Sequence, residues 1–324
     1  MAHNLNTNKN TGKVSMMYYG ETPWHRLGQK LQNPATAAEA IVAAGLDYKV
    51  EKRPISFADN HNSYERIPDM YATVRMDTMQ PLGVVGKWYE PLQNVDAFSF
   101  FDSLVGKGEA IYHTAGALGK GEKLWIMAQL PGYIKLGKND IVNKFLLLTN
   151  GHDGKTMVRA KLTPVRVVCE NTLNMALRGS DQQVGVLHSK AALPNLETAW
   201  KVLGLSNQLY DQLGDIFKKM TLTKLSDRDL LGYVTKLVYG EEKETTPRKE
   251  AQVEKILELA SVGAGAEMET STGTVWGAYN AATEYADHVD GVNRKEESAL
   301  KSLWFGSRQD FKVKAFELAQ AQTN

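Results

Sequence analysis

The stretch TPVRVVCENTLNMALRG, residues 163–179, decides the fold class. Its first half is a β-branched run, Val165, Val167 and Val168, carrying one arginine, Arg166. Such side chains suit the pleated, half-buried surface of a strand. It then passes through Cys169, Glu170, Asn171 and Thr172 into a segment with helical apolar spacing. The period of the chain changes here, from about two residues to about 3.6.

Upstream, short β-rich runs alternate with turn formers over residues 50–170. YATVRMD (71–77), PLGVVGKWYEPL (81–92), EAIYHTAGAL (109–118), KLWIMAQLPGYIKL (123–136), NKFLLLTNGHDG (143–154) and TMVRAKLTPVRVVC (156–169) read as strands. Gly151-His152-Asp153-Gly154 reads as a hairpin turn. Two helices interrupt this half, one near 34–45 closing on Gly45 and one near 94–106 with Asn94 as its N-cap candidate.

Beyond residue 190 the spacing is helical over 196–220, 226–240, 246–260, 274–289 and 294–321. Ser226 and Thr246 are N-cap candidates, Pro247 stands at a first helical position, and Gly240 is a stop. The expected class is α+β: an antiparallel-rich β-sheet with a few packed helices, followed by a mainly helical C-terminal region. The expected organisation is a flexible N-terminal arm at 1–17, the sheet domain at 18–190 and the helical region at 191–324.

A chain of 324 residues with 43% hydrophobic and 23% charged residues has the composition of a globular protein with a full core. Its formal net charge of +1 gives no global bias toward nucleic acid or membrane, so any basic surface must be local. A single cysteine leaves no intramolecular disulfide and no Cys-rich zinc site, which fits a reducing cytoplasm. The opening MAHNLNTNKNTGKVS lacks the apolar region of a signal peptide, and no apolar run approaches membrane-spanning length. A cytoplasmic protein without membrane contact is expected.

Several motifs fall short of a chemistry. GYIKLGKN (132–139) nearly matches a phosphate-binding loop, but Asn139 stands where the magnesium-binding hydroxyl belongs and a strand-like run follows. It reads as a hairpin loop. The seven histidines are scattered singly, without metal-ligand spacing. No metal, cofactor or catalytic residue is expected from these patterns. Cys169, at a strand-to-helix junction, reads as a small buried hydrophobe.

Two constellations remain. Around the opening stretch, Lys155, Arg159, Lys161 and Arg166, with Lys120 and Lys123 in the glycine-rich AGALGKGEK (115–123), make a locally basic segment. Alternation puts Arg159 and Lys161 on one strand face and Arg166 on the other. Such cations suit phosphates, and Trp88, Tyr89, Tyr112, Trp125 and Tyr133 would offer stacking surfaces for bases. In TVWGAYNAATEYADHV (274–289), Asn280, Glu284 and His288 recur every four residues and form a possible polar functional face, or else an interhelical network.

PWHRLG (23–28), YATVRMDTMQPLGVVGKWYEPLQNVDAFSFFD (71–102), RVVCENTL (166–173), WGAYNAATEYADH (276–288) and WFGS (304–307) together resemble the phage/plasmid-like protein family built on domain of unknown function 932. The resemblance runs from about Tyr18 to about Ala319. It implies a mobile element in a bacterial host and carries over no catalytic residues. In layout alone, a β-rich region, a basic strand and then helices, the chain is also similar to the Rad52-like and RecT-like single-strand annealing proteins of phages.

The leading expectation is a single-stranded-DNA-binding protein, annealing strands in recombination or replication without nucleotide hydrolysis. It would act as a homo-oligomer, beside a host or phage replication or recombination protein. A second reading is an interaction protein that blocks a host factor through the helix around Leu300–Phe316, anchored by Trp304, Phe305 and Phe311. A third is an enzyme using Asn280, Glu284 and His288 with Glu170.

Overall fold

The computed structural model describes residues 5–8, 11–20, 27–58, 60, 63–105, 111–168, 183–192, 194–196, 198, 207–240, 245–290, 302 and 306–323. The chain forms two compact units. The first comprises Met1–Pro131, Leu146–Lys161 and Gln183–Leu203; the second comprises Gly132–Phe145, Leu162–Gln182 and Gly204–Asn324. The division therefore differs from a single boundary near residue 190, because strand segments on both sides of Leu146–Lys161 belong to the helical unit.

The first unit holds strands β1 (Met16–Tyr19), β2 (Gln29–Leu31), β3 (Val50–Ala58), β4 (Tyr64–Arg75), β5 (Gln80–Gly86) and β6 (Ile111–Leu118). It also holds most of β7 (Lys123–Lys135), β8 (Ile141–Gly151) and β9 (Val158–Leu162), and all of β11 (Gln183–Val186). The large sheet runs β11-β9-β8-β7-β6-β1-β2, and β3-β4-β5 form a second, antiparallel sheet. Antiparallel pairing dominates, with β1 and β2 parallel. Leu124–Ala128 on β7 and Leu146–Leu148 on β8 are buried at consecutive positions, so both faces are covered there.

Helix α1 (Ala37–Ala43) begins at Thr36, which shares a reciprocal capping box with Glu39, and the chain leaves it through Gly45 at φ +63. Helix α2 (Asn94–Val105) starts where expected, but Asn94 is not its cap. The carbonyl of Gln93 accepts from Asp96 and Ala97, while the Asn94 amide donates to Leu46 O at 2.8 Å.

Among the described residues of the expected flexible arm, Leu5, Asn6 and Ser15–Met17 are packed, while Thr11–Lys13 are exposed. Leu5 is buried and bridges Leu118, Asn6 N donates to Ala117 O at 2.8 Å, and Thr7 pairs with Val14. Polar composition suggested mobility here, yet the polar atoms are used: Asn6 Oδ1 accepts from Ser15 Oγ and from the buried Arg75, both at 2.8 Å.

In the second unit, β10 (Val165–Arg166) pairs antiparallel with the start of β8. The helices are α3 (Asn207–Leu222), α4 (Asp227–Tyr239), α5 (Pro247–Val262), α6 (Val275–Glu284) and α7 (Ser307–Ala321). Ser226 and Thr246 cap α4 and α5 as expected, and Gly240 ends α4 at φ +66. Every residue from Val275 to Thr283 is buried, which makes α6 the central helix. Trp276 meets Phe217 at 4.8 Å and Tyr279 meets Phe316 at 5.8 Å between ring centroids. The model thus has the α+β class, with antiparallel-rich sheets and a helical C-terminal region.

Candidate functional site

The basic segment is built around the β8–β9 turn of the first unit. Asp153 organises this turn: its Oδ1 accepts from Lys155 N at 2.9 Å and Thr156 N at 2.7 Å, and its Oδ2 accepts from Thr156 Oγ1 at 2.9 Å. Burial alone would raise its carboxyl, but those donors and Lys123, 3.6 Å away, hold it below the usual carboxylate range. A loop of Asp153–Thr156 bonds thereby fixes where Lys155 leaves the turn.

From this turn β9 alternates as the sequence predicts. Val158, Ala160 and Leu162 are buried; Arg159 is exposed and Lys161 is half-exposed on the other face. Lys120 is exposed in the β6–β7 turn. His152 N donates to Glu122 O at 2.7 Å and so joins that turn to the β8–β9 turn. Five of the six expected phosphate-binding residues, Lys120, Lys123, Lys155, Arg159 and Lys161, therefore belong to one unit.

Strand β5 lies directly against the same turn. A Cβ on Gly83 would come within 2.5 Å of the Asp153 carbonyl, and one on Gly154 within 2.7 Å of Val84 O. After β5, the Gly86–Tyr89 turn splits a pair of aromatics. Tyr89 folds inward, stacks on His188 at 4.6 Å and donates to Gly151 O at 3.0 Å. Trp88 faces out at 82% exposure, with Lys87 Nζ 5.3 Å from its ring centroid. Trp125 and Tyr112 are 0% and 1% exposed, so two of the five expected stacking rings are core instead. Trp125 lies in the buried run Leu124–Ala128, and Tyr112, between the half-buried Ile111 and His113, donates to Phe98 O at 3.0 Å. Tyr133, in the second unit, is exposed.

Beneath the turn is a buried polar layer that the sequence reading missed. His152 Nε2 lies 3.0 Å from Asn94 Oδ1, and the Asn94 amide is oriented by its own bond to Leu46 O. Nε2 therefore carries the proton. His188 Nε2 similarly meets Thr156 O at 3.1 Å, and Asn150 Nδ2 donates to Leu92 O at 3.1 Å. Burial depresses both imidazoles, His152 to about 3, so both are neutral near pH 7. The only sequence signal was the i, i+2 spacing of Asn150 and His152 at a strand end, which puts both on one face.

Arg166 corrects the sixth expectation. It belongs to the second unit, where its Nε and Nη2 meet Asp140 Oδ1 and Oδ2 at 2.8 and 2.7 Å, and both side chains are 1% exposed. Asp140 also accepts from Thr270 Oγ1 at 2.6 Å and Trp276 Nε1 at 2.9 Å, while Arg166 donates to Ser271 Oγ at 2.7 Å. Burial would raise Asp140, but Arg166 leads the donors that hold it low. A guanidinium so fully used is a structural tie, not a phosphate contact. The near-match GYIKLGKN (132–139) covers the end of β7 and the β7–β8 loop of the same unit, and strand β8 follows it where a phosphate loop needs a helix.

The polar row on α6 is divided. Asn280 is buried and donates to Trp276 O at 2.8 Å. Glu284 is half-buried and accepts from Ala264 N at 3.3 Å; burial raises its carboxyl. His288 is exposed, beyond a change to π-helix over Tyr285–Val289 that alters the four-residue stagger. Asn280 thus serves the helix interior, and the row is not one open face. Cys169, Glu170, Trp304 and Phe305 lie outside the described residues. Phe311 is half-buried against Tyr285, 6.2 Å between centroids. Among the described residues no group of three or more His, Cys, Asp or Glu is arranged to hold a metal, and no helix is long and apolar enough to cross a membrane.

A family model, domain of unknown function (DUF932), matches residues 81–304. The match covers more than half of the chain and contains the Trp88 turn, the β8–β9 turn and the α6 core. The chain belongs to this family. No curated protein and no solved structure matches it.

Proposed function

We propose that this DUF932 protein binds single-stranded DNA through the exposed cations around the β8–β9 turn of its first unit. The observation that carries the reading is the outward presentation of Lys155 and Arg159 from a rigid turn and strand, with Lys120 on the joined neighbouring turn. Lysine and arginine held this way neutralise phosphates and release condensed counterions, which needs no covalent step, nucleotide or metal. Arg166 has no part in it.

Copies of the chain side by side would hold extended strands with their bases open to a complement, so strand annealing is the activity proposed. The setting, recombination or replication of a phage or plasmid in bacterial cytoplasm, rests on the resemblance of the quoted segments. A docked host or phage recombination protein belongs to the same proposal.

The test is fluorescence anisotropy of the full chain with a labelled single-stranded oligonucleotide, at several salt concentrations and with a duplex control. Binding that prefers the single strand and falls steeply with salt supports the reading, and strand-annealing assays follow. Absence of binding at low salt overturns it.

A second reading is favoured by one observation. Glu284 is half-buried with a raised carboxyl, close enough to His288 and Arg166 for both to influence its charge. That is the environment of a general acid or base. Loss of a measured turnover on Glu284→Gln with the fold kept would support it.

A further inference from the structure

The exposure of Trp88 sets it apart from the other described tryptophans. Trp125 and Trp276 are 0% exposed, while Trp88 is 82% exposed and is the most open large hydrophobic among the described residues. An indole left in water forgoes a large burial energy. The backbone on either side of it is nevertheless held at several points. Lys52 Nζ donates to Lys87 O at 2.9 Å, Tyr89 N to Gly86 O at 3.2 Å, and Glu90 N to His188 O at 3.2 Å. Tyr89, next in sequence, occupies the interior position and ties the turn to Gly151.

A ring on a fixed turn loses little conformational freedom when something stacks on it. The surroundings say what that is. Lys87 sits over one face of the ring while donating to Asp69 Oδ2 at 3.0 Å, and the neighbouring β8–β9 turn presents Lys155, with Arg159 further along β9. An exposed indole next to a turn that carries an exposed cation matches an unstacked base whose phosphate reaches Lys155. A base inside a duplex has no open face to offer.

We infer that Trp88 is a base-stacking platform, which makes the binding site select single strands over duplex. The inference rests on the DNA-binding reading above and adds the residue that sets strand preference. Arg159 and Lys155 would supply attraction indifferent to strand state; Trp88 would supply the discrimination.

The test uses the full chain, Trp88→Ala and Trp88→Phe, each titrated into a single strand, an equal-length duplex and a single strand carrying consecutive abasic sites. Trp88→Ala is expected to weaken single-strand binding by about 5- to 100-fold, with the salt slope unchanged. Duplex and abasic binding should stay within about twofold, and Trp88→Phe should recover most of the loss. Unchanged thermal midpoints exclude misfolding. Salt-steep single-strand binding that ignores Trp88→Ala, or an equal loss on duplex, overturns the stacking role and leaves the DNA-binding reading standing. No binding by the parent chain overturns both.

Discussion

Arg166 and Asp140 face each other through two parallel hydrogen bonds of 2.8 and 2.7 Å, in a site where neither is more than 1% exposed. Thr270, Ser271 and Trp276 use further polar atoms of the pair, joining strand β10 and the β7–β8 loop to the turn before α6 and to α6 itself. An arginine expected to meet a ligand is fully committed to the fold.

Removing one partner should therefore be severe. Arg166→Ala strands a buried carboxylate and is expected to lower stability by about 3–5 kcal/mol. Arg166→Met with Asp140→Leu, which removes both charges at similar volume, should recover a large part of that. Urea denaturation of the three proteins checks it; a double variant no better than the single would contradict the pairing argument.

Salt dependence separates phosphate contacts from structural charges. Lys155→Ala with Arg159→Ala is expected to reduce the slope of log affinity against log salt by about 1.4, near 0.7 per lost single-strand contact. Both residues are exposed, so the denaturation midpoint should barely move. An unaltered slope would place the DNA contacts elsewhere.

Acid should destabilise the first unit through its buried histidines. Folded His152 resists protonation until about pH 3, while the unfolded chain takes that proton near pH 6.5. Among the described residues its Nδ1 meets no hydrogen-bond partner, so an added proton would be buried without an acceptor. The unfolded state thus binds more protons throughout the window from about 6.5 to 3, and stability falls as pH falls through it. The slope approaches about 1.4 kcal/mol per pH unit for this residue. Burial depresses His188 and His113 in the same direction. Denaturant midpoints between pH 7.5 and 4.5 should show the decline, and His152→Gln should flatten it.

Two helix glycines should respond with opposite signs. Gly232 in α4 has open space where a Cβ would go, so Gly232→Ala is expected to stabilise by about 0.5–1 kcal/mol. Gly277 in α6 has the Ser271 carbonyl there, and Gly277→Ala should destabilise despite the better helix propensity. Thermal midpoints of the two variants give the comparison.

Much of the fold was legible because its signals are local. The Ser226 and Thr246 caps act within three residues, and both are made as the spacing suggests; the Thr36 capping box is equally local but was not read. β9 alternates because the strand period is two. β1, β2 and β11 were harder to see, being four residues or fewer and too short to display a period, and the nine-residue β3 was missed because it is mostly exposed and carries Pro54 and three consecutive charges. Asn94 looked like a cap because asparagine commonly is one; its amide was instead drawn to Leu46 and His152.

By itself, the sequence determined the α+β class, the main strands and helices, and a basic segment on β9 and its turn. These follow from side-chain period and turn chemistry, which operate over a few residues. Only the tertiary structure decided that Arg166 is buried, that Trp88 stands in water while Trp125 does not, and that Asn280 turns away from Glu284 and His288. Those outcomes depend on partners distant in sequence, such as Trp276 bonding Asp140 across 136 positions, and burial at that range has no local signature.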